Sequence, residues 1–238
     1  MRDYILAMNQ EYLPHLSKDL GAITGLLFEI GTCRIVIPEN AEDFVRKLKD
    51  KSIKSQKKRT KQVVNDKKEK NEHSEMQFLL AKLGRDLGYQ VWIAQNDHQR
   101  VWKDHRLGEF SLKHLPNIGL SKDVHQTISL IDVLWLDTVG NYIGAFEVEK
   151  STSIYSGILR LHDLSSSVMN HSCELYLIAP DEREKEIKAQ LLRPSLQSSL
   201  QEMPIKYINF SDFRCDYEAM CKFGDNISII HKIAKTAI

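Results

Sequence analysis

Cysteine is scarce in this sequence and falls into no pattern. The four cysteines, Cys33, Cys173, Cys215 and Cys221, form no CxxC pair and have no histidines at zinc-site spacing. A disulfide scaffold is thereby disfavoured, and reduced thiols are expected. A Cys215–Cys221 metal pair is the alternative. Long hydrophobic runs are also missing: no stretch approaches the roughly 18 apolar residues of a membrane span. The opening MRDYILAMNQEYLPHL lacks the basic-then-apolar pattern of a signal peptide. The expectation is a soluble cytoplasmic protein with no membrane partner. Net charge is nearly absent at +1, and no internal repeat is visible.

What is there is unevenly placed. Arg46 to Lys70 holds twelve basic and three acidic residues, a local charge of +9, so the rest of the chain carries −8. A dense positive block is an electrostatic footprint for a polyanion, and Lys57, Lys58 and Arg59 at its centre are candidate substrate contacts. Such a block can equally be a solvated linker, because like charges repel and seldom pack. The 238 residues, 42% hydrophobic and 27% charged, suit one medium domain with additions.

Composition divides the chain into a small N-terminal αβ unit (1–50), a basic linker (51–72), a core (73–200), and a C-terminal strand and helices completing that core (201–238). ITGLLFEIGTCRIVI (23–37) reads as a hairpin broken at Gly31-Thr32. Ser74-x-x-Gln77 resembles a capping box, and Met76, Leu79, Leu80, Leu83 and Leu87 follow at helical spacing up to Gly88. Strands are expected at 89–94, 128–136, 142–149 and 174–179, with a helix capped by Ser151-Thr152-Ser153 and running to about Ser167, and another after Pro180 to about Leu192. Residues 97–127 form a long irregular insertion in which cations alternate with aromatics, as suits nucleic acid. The order is αβββαβ followed by αβα. The predicted class is α/β, a mixed central sheet with helices on its faces plus the small N-terminal αβ unit.

Asp132 interrupts an apolar strand, and a buried carboxylate is costly unless paired, hydrogen-bonded or bound to metal. Glu147 and Glu149 share one face of the next strand by alternation. A hairpin turn centred between Val139 and Gly140 sets Asp132 opposite Glu147, with Cβ atoms roughly 5 Å apart. Three carboxylates at that range repel one another without a cation, and hard oxygen ligands suit Mg2+ or Mn2+. Protonated acids, or pairing with Lys150 or Arg160, are the plainer alternatives. A glycosidase is disfavoured, because acids side by side on one strand do not flank a scissile bond.

The αβββαβ order, with Glu75 on the first helix, Asp132 on the second strand and Glu147-x-Glu149 on the third, resembles the PD-(D/E)XK, or restriction-endonuclease-like, nuclease core over about residues 71–180. FEVEKSTSIYSGILRLHDL (146–164) and ELYLIAPDEREKEIKAQLLRP (174–194) resemble a bacterial group of such proteins found beside other defence genes. The resemblance implies a Mg2+- or Mn2+-dependent endonuclease acting on DNA in anti-phage defence, as a homodimer or a subunit of a larger complex. RNA cleavage, or a non-catalytic binding subunit on the same fold, are the alternatives. Asp132 and Glu147 would ligate the metal, and Glu75 would hold a metal-bound water or complete the site from the helix. The family's usual lysine is replaced by Glu149, which would orient the water or bind a second ion. Lys150 reaches that face only through a bulge. Arg160 would reach the phosphate from the crossover helix, with Ser153 and Tyr155 near that helix's start. Pairing to Asp163 is the ordinary alternative for Arg160.

Overall fold

The computed structural model describes residues 71–149, 154–167, 173–197 and 204–237, together with the backbone of residues 27–28 and 35–36. The chain divides into two compact units, Met1–Asn65 and Asp66–Ile238. In the first, β1 (Leu27–Phe28) pairs antiparallel with β2 (Ile35–Val36). Leu27 meets Val36, so the register centres between positions 31 and 32, as the glycine break implies. Lys57, Lys58, Arg59, Lys150 and Ser153 lie outside the described residues.

The second unit is α/β. A helix covering 71–86 (α1) leads through Gly88, at φ +85, into β3 (Gln90–Ile93). A hairpin of β4 (Val101–Trp102) and β5 (His105–Arg106), then α2 (Lys122–Ile128), precede β6 (Val133–Leu136). Next come β7 (Tyr142–Val148), α3 (Ile154–Ser167), β8 (Glu174–Ala179), α4 (Glu184–Leu191), β9 (Ile205–Asn209) and α5 (Phe210–Phe223). The five-stranded sheet runs β3-β6-β7-β8-β9. Its first three strands are antiparallel, and β8 and β9 join parallel. The antiparallel pairs need only loops, whereas each parallel addition needs a helical crossover, which α3 and α4 supply.

Two cores sandwich the sheet. Met76, Leu80 and Leu83 of α1 and Phe210, Phe213 and Met220 of α5 cover Val133, Trp135, Phe146 and Val148. Ile154, Ile158, Leu161 and Leu164 of α3, with Ile187 and Leu191 of α4, cover Leu134, Ala145, Leu175 and Leu177. The alternation of partners along β6, and along β7 from Ala145 onward, is the period-2 pattern expected of a strand covered on both faces. An aromatic row crosses the first face: Trp135 lies 5.6 Å from Tyr89 and 4.6 Å from Phe146, which stacks 5.1 Å from Tyr176.

Three expectations are corrected. Ser74 and Gln77 lie inside α1 and are buried, so they form no capping box. The strand expected over 128–136 begins only at Val133. Ile128 ends α2, and the amides of Leu130 and Ile131 return to Thr127 and Ile128 in a turn. The insertion is also more ordered than its composition implies, since it contains the 101–106 hairpin and α2. Among the described residues no helix is long and apolar enough to cross a membrane. Cys173, Cys215 and Cys221 are free thiols, and none of them joins a metal-ligating group there.

Trp135 fixes α1 to the sheet. Its buried indole Nε1 donates to the Leu80 carbonyl at 3.1 Å, and Gly84 leaves the ring its space. A Cβ at Gly84 would stand 2.7 Å from Trp135 Cε2. Gly84→Ala should therefore destabilise the fold by up to roughly 2 kcal/mol, an overpacking cost of about 1–3 kcal/mol exceeding the gain of about 1 kcal/mol from alanine's helix propensity. Urea unfolding measures this, and a variant as stable as the parent would show that the Trp135 pocket yields.

Candidate metal centre and active site

Asp132 sits immediately before β6, and its neighbours hold it from both sides. Its carbonyl accepts from the Ala94 amide at 3.2 Å, and its Oδ2 accepts from the Val148 amide at 2.8 Å. The side chain thus takes the place of a ladder carbonyl where the β6–β7 ladder ends. Val133 pairs with Phe146 and Trp135 with Gly144, so one step further along this register 132 meets 147. The hairpin reaches this register by a shift between Trp135 and Leu136, with Ile143 as the extra residue on β7. Asp137 closes the turn by accepting from the Val139 and Asn141 amides at 2.9 and 2.8 Å, and Gly140 takes φ +93.

Helix α1 meets Asp132 with His73 and Gln77, four residues apart and so on one helix face. His73 Nε2 lies 3.3 Å from Asp132 Oδ2, and Gln77 Nε2 donates to Asp132 Oδ1 at 3.3 Å and to Asp97 Oδ2 at 2.7 Å. Asp97 comes from the turn after β3, where Arg100 Nε meets its Oδ1 at 2.8 Å. Arg100 Nη1 also contacts His73 Nδ1 at 2.7 Å. Arginine carries only donors, so Nδ1 accepts and the imidazole proton sits on Nε2, facing Asp132. Burial pushes the Asp132 carboxyl up, but His73, the Val148 amide and Arg160 outweigh it and hold the group below the usual carboxylate value.

The other acids face α3. Arg160 donates to both oxygens of the fully buried Glu147, from Nε at 2.7 Å and Nη2 at 2.6 Å. Burial raises the Glu147 carboxyl well above its ordinary value, and Asp132 and Glu149 add to this. Arg160 opposes the rise by donating to both oxygens. Glu149 is buried and shares this face. A Cβ at Gly157 of α3 would lie 2.5 Å from Glu149 Oε1 and 3.4 Å from Glu147 Cβ. Arg160 therefore pairs with Glu147, whereas the Asp163 carboxylate lies near His162.

Glu75 also lies on α1, but its carboxylate is engaged by Arg214 at 2.7 Å. Tyr155 is exposed, with the Arg193 guanidinium 5.7 Å above its ring. Among the described residues, His73, Asp97 and Asp132 are the group whose ligand atoms lie within 4.8 Å of one another, a set able to hold a divalent ion. The carboxylates of Asp132, Glu147 and Glu149 are not drawn into one such group. Sequence reasoning missed His73, Gln77, Asp97, Arg100 and Gly157. The available signals were two polar residues on the apolar stripe of α1 and a glycine within α3.

The Glu147–Arg160 pair can be tested in chelator. Arg160→Ala strands a buried carboxylate and should cost about 3 kcal/mol at pH 7, near the low end for breaking a buried pair because Arg160 keeps 27% side-chain exposure. Without Arg160 to oppose burial, Glu147 titrates still further above its unfolded value, so the folded state of the variant binds the proton earlier as pH falls. The deficit relative to the parent should shrink as pH drops from 7 toward the ordinary glutamate value. Urea melts at several pH values test this, and a deficit that does not change with pH would exclude the mechanism.

The chain matches the family model of the Type II restriction enzyme NmeDI C-terminal domain over residues 52–232. The Type II restriction enzyme NmeDI of Neisseria meningitidis serogroup C is 28% identical over 126 residues, covering 50% of this chain and 36% of that relative. The matched part is thus about a third of the length of the curated relative. No solved structure matches. With more than half of its length inside the family model, the chain belongs to the family of the Type II restriction enzyme NmeDI C-terminal domain.

Proposed function

We propose that this chain is a metal-dependent nuclease of the PD-(D/E)XK kind that hydrolyses DNA phosphodiester bonds in bacterial defence. The family match carries the reading, because it spans 52–232 and encloses Asp132, Glu147, Glu149 and Arg160. The residues fit a divalent cation. Asp132 is held anionic at neutral pH, and the fully buried Gln77 beside it has an Oε1 with no hydrogen-bond partner.

Asp132 and Glu147 would hold the cation. Bound there, Mg2+ or Mn2+ would lower the pKa of the attacking water and neutralise charge on the phosphate. Glu149 would orient that water and accept its proton, in place of the lysine of related sites. Arg160 would leave Glu147 for a phosphate oxygen, exchanging one two-point acceptor for another. Tyr155 and Ser153 would flank the nucleic-acid backbone, and Lys57, Lys58 and Arg59 would add nonspecific attraction from the basic segment. Glu75 would act from α1 only after leaving Arg214, so His73 and Gln77 are the better-placed groups on that helix. Assembly as a homodimer, or within a larger defence complex, belongs to the same reading. The alternative is a non-catalytic nucleic-acid-binding subunit. It is favoured by Glu149 in the lysine's place and by the engagement of Glu147 with Arg160.

Plasmid DNA and an RNA of matching sequence, each with Mg2+ or Mn2+, separate the readings. We expect DNA cleavage that Asp132→Asn abolishes and Glu149→Gln lowers at least ~100-fold, as for loss of a general base. Cleavage of RNA alone would move the substrate class, and binding without turnover would select the non-catalytic reading. Replacing Lys57, Lys58, Arg59 and Lys61 with Gln should also flatten the dependence of log affinity on log salt, by about 0.9 for each duplex phosphate that is no longer neutralised. An unchanged slope would make that segment a linker only.

A further inference from the structure

We propose that His73, Asp97 and Asp132 form a second divalent-cation site, with Gln77 as a fourth donor, which fills in the absence of nucleic acid. Three observations carry it. The ligand atoms of these residues already lie within 4.8 Å of one another, and all three residues are buried. Buried carboxylates this close need compensation. Arg100 provides it for Asp97 by direct contact, whereas Asp132 touches only an imidazole N–H, an amide N–H of Gln77 and the Val148 amide. Gln77 is fully buried with its amide aimed at both acids, yet its Oε1 has no hydrogen-bond partner. Turning the amide over would present this uncommitted oxygen to a cation lying between the two carboxylates, which would replace the two amide N–H bonds that Gln77 now gives them.

The donor set fixes the class of ion. Two carboxylates, an amide oxygen and an imidazole favour Mn2+ or Zn2+ over Mg2+, which prefers oxygen and water alone. Ligation through His73 Nε2 moves the imidazole proton from Nε2 to Nδ1 and leaves the ring neutral. Arg100 Nη1 must then withdraw from Nδ1, and its Nε already holds Asp97. The Asp132–Glu147 position is less available without nucleic acid, because Arg160 occupies both Glu147 oxygens. The two sites share Asp132 and are otherwise built from different residues, so this inference can fail or hold apart from the nuclease reading.

The test is a MnCl2 titration of the whole chain without nucleic acid, followed by electron spin resonance, with MgCl2 as competitor. The wild type should show spin-echo modulation from a directly bound imidazole nitrogen and should resist displacement by Mg2+. His73→Gln should lose the modulation. Asp97→Asn, which keeps its shape, should weaken Mn2+ binding at least ~10-fold, the low end for disturbing even an outer-sphere partner. Glu147→Gln should bind as the wild type does. Absence of nitrogen modulation in the wild type needs no variant to fold, and it would overturn the site. Wild-type affinity in both His73→Gln and Asp97→Asn would overturn it too. Loss of Mn2+ in Glu147→Gln with His73→Gln unaffected would leave only the Asp132–Glu147 position. Nitrogen-bound Mn2+ in a chain that cuts neither DNA nor RNA would retain this site and remove the nuclease reading.

Discussion

A carboxylate taken out of water must find its hydrogen bonds inside the protein, and Asp132 finds them on three different segments. The Val148 amide comes from β7, His73 and Gln77 come from α1, and the Ala94 amide fixes the backbone from beside β3. None of these segments can move far without stranding a buried charge, at a cost of several kcal/mol. The start of β6, the register of β7 and the placement of α1 therefore depend on one another. Trp135 repeats the constraint three residues along the chain with an apolar body, since its indole ties the Leu80 carbonyl to the sheet.

Across the hairpin from Asp132 the charge is balanced differently. Glu147 is fully buried and has one cation, Arg160, on both oxygens. Asp132 has His73, Gln77 and the Val148 amide in direct contact and feels Arg160 at longer range. Two acids at adjoining register positions thus reach charge balance by separate routes. Gly157 gives Glu149 its place beside Glu147, because a side chain there would meet the Glu149 carboxylate. A glycine within a helix costs about 1 kcal/mol against alanine, so its position here is best understood through what it leaves room for.

Much of this was legible from local pattern. The bounded apolar run ELYLIA is β8, and the pairing that brings 132 to 147 follows from the short turn after β6. The register came out right through a compensation that the sequence does not display. The pair nearest the turn, Leu136 with Tyr142, centres on position 139, and the extra residue Ile143 shifts the pairing by one before the acids. Residues 128–131 misled because apolar content reports burial, not conformation. Ile128 and Ile131 are fully buried at a helix end and in a turn. Ser74 and Gln77 fit a cap by spacing, and tertiary partners overrode that local preference.

Asp97 was the least legible residue of the site, for a reason of topology. It lies 35 positions before Asp132 in an insertion rich in cations, where a single acid gives no periodic signal. Its partner Gln77 is on the preceding helix, and the two meet only because β3 returns the chain past α1. The same return places Arg100 over both His73 and Asp97. The segment after β3 therefore completes the polar end of α1 and can influence the sheet acids through it. A change at Asp97 or Arg100 would reach Asp132 by way of Gln77 and His73, although neither residue belongs to the strands that carry the acidic motif.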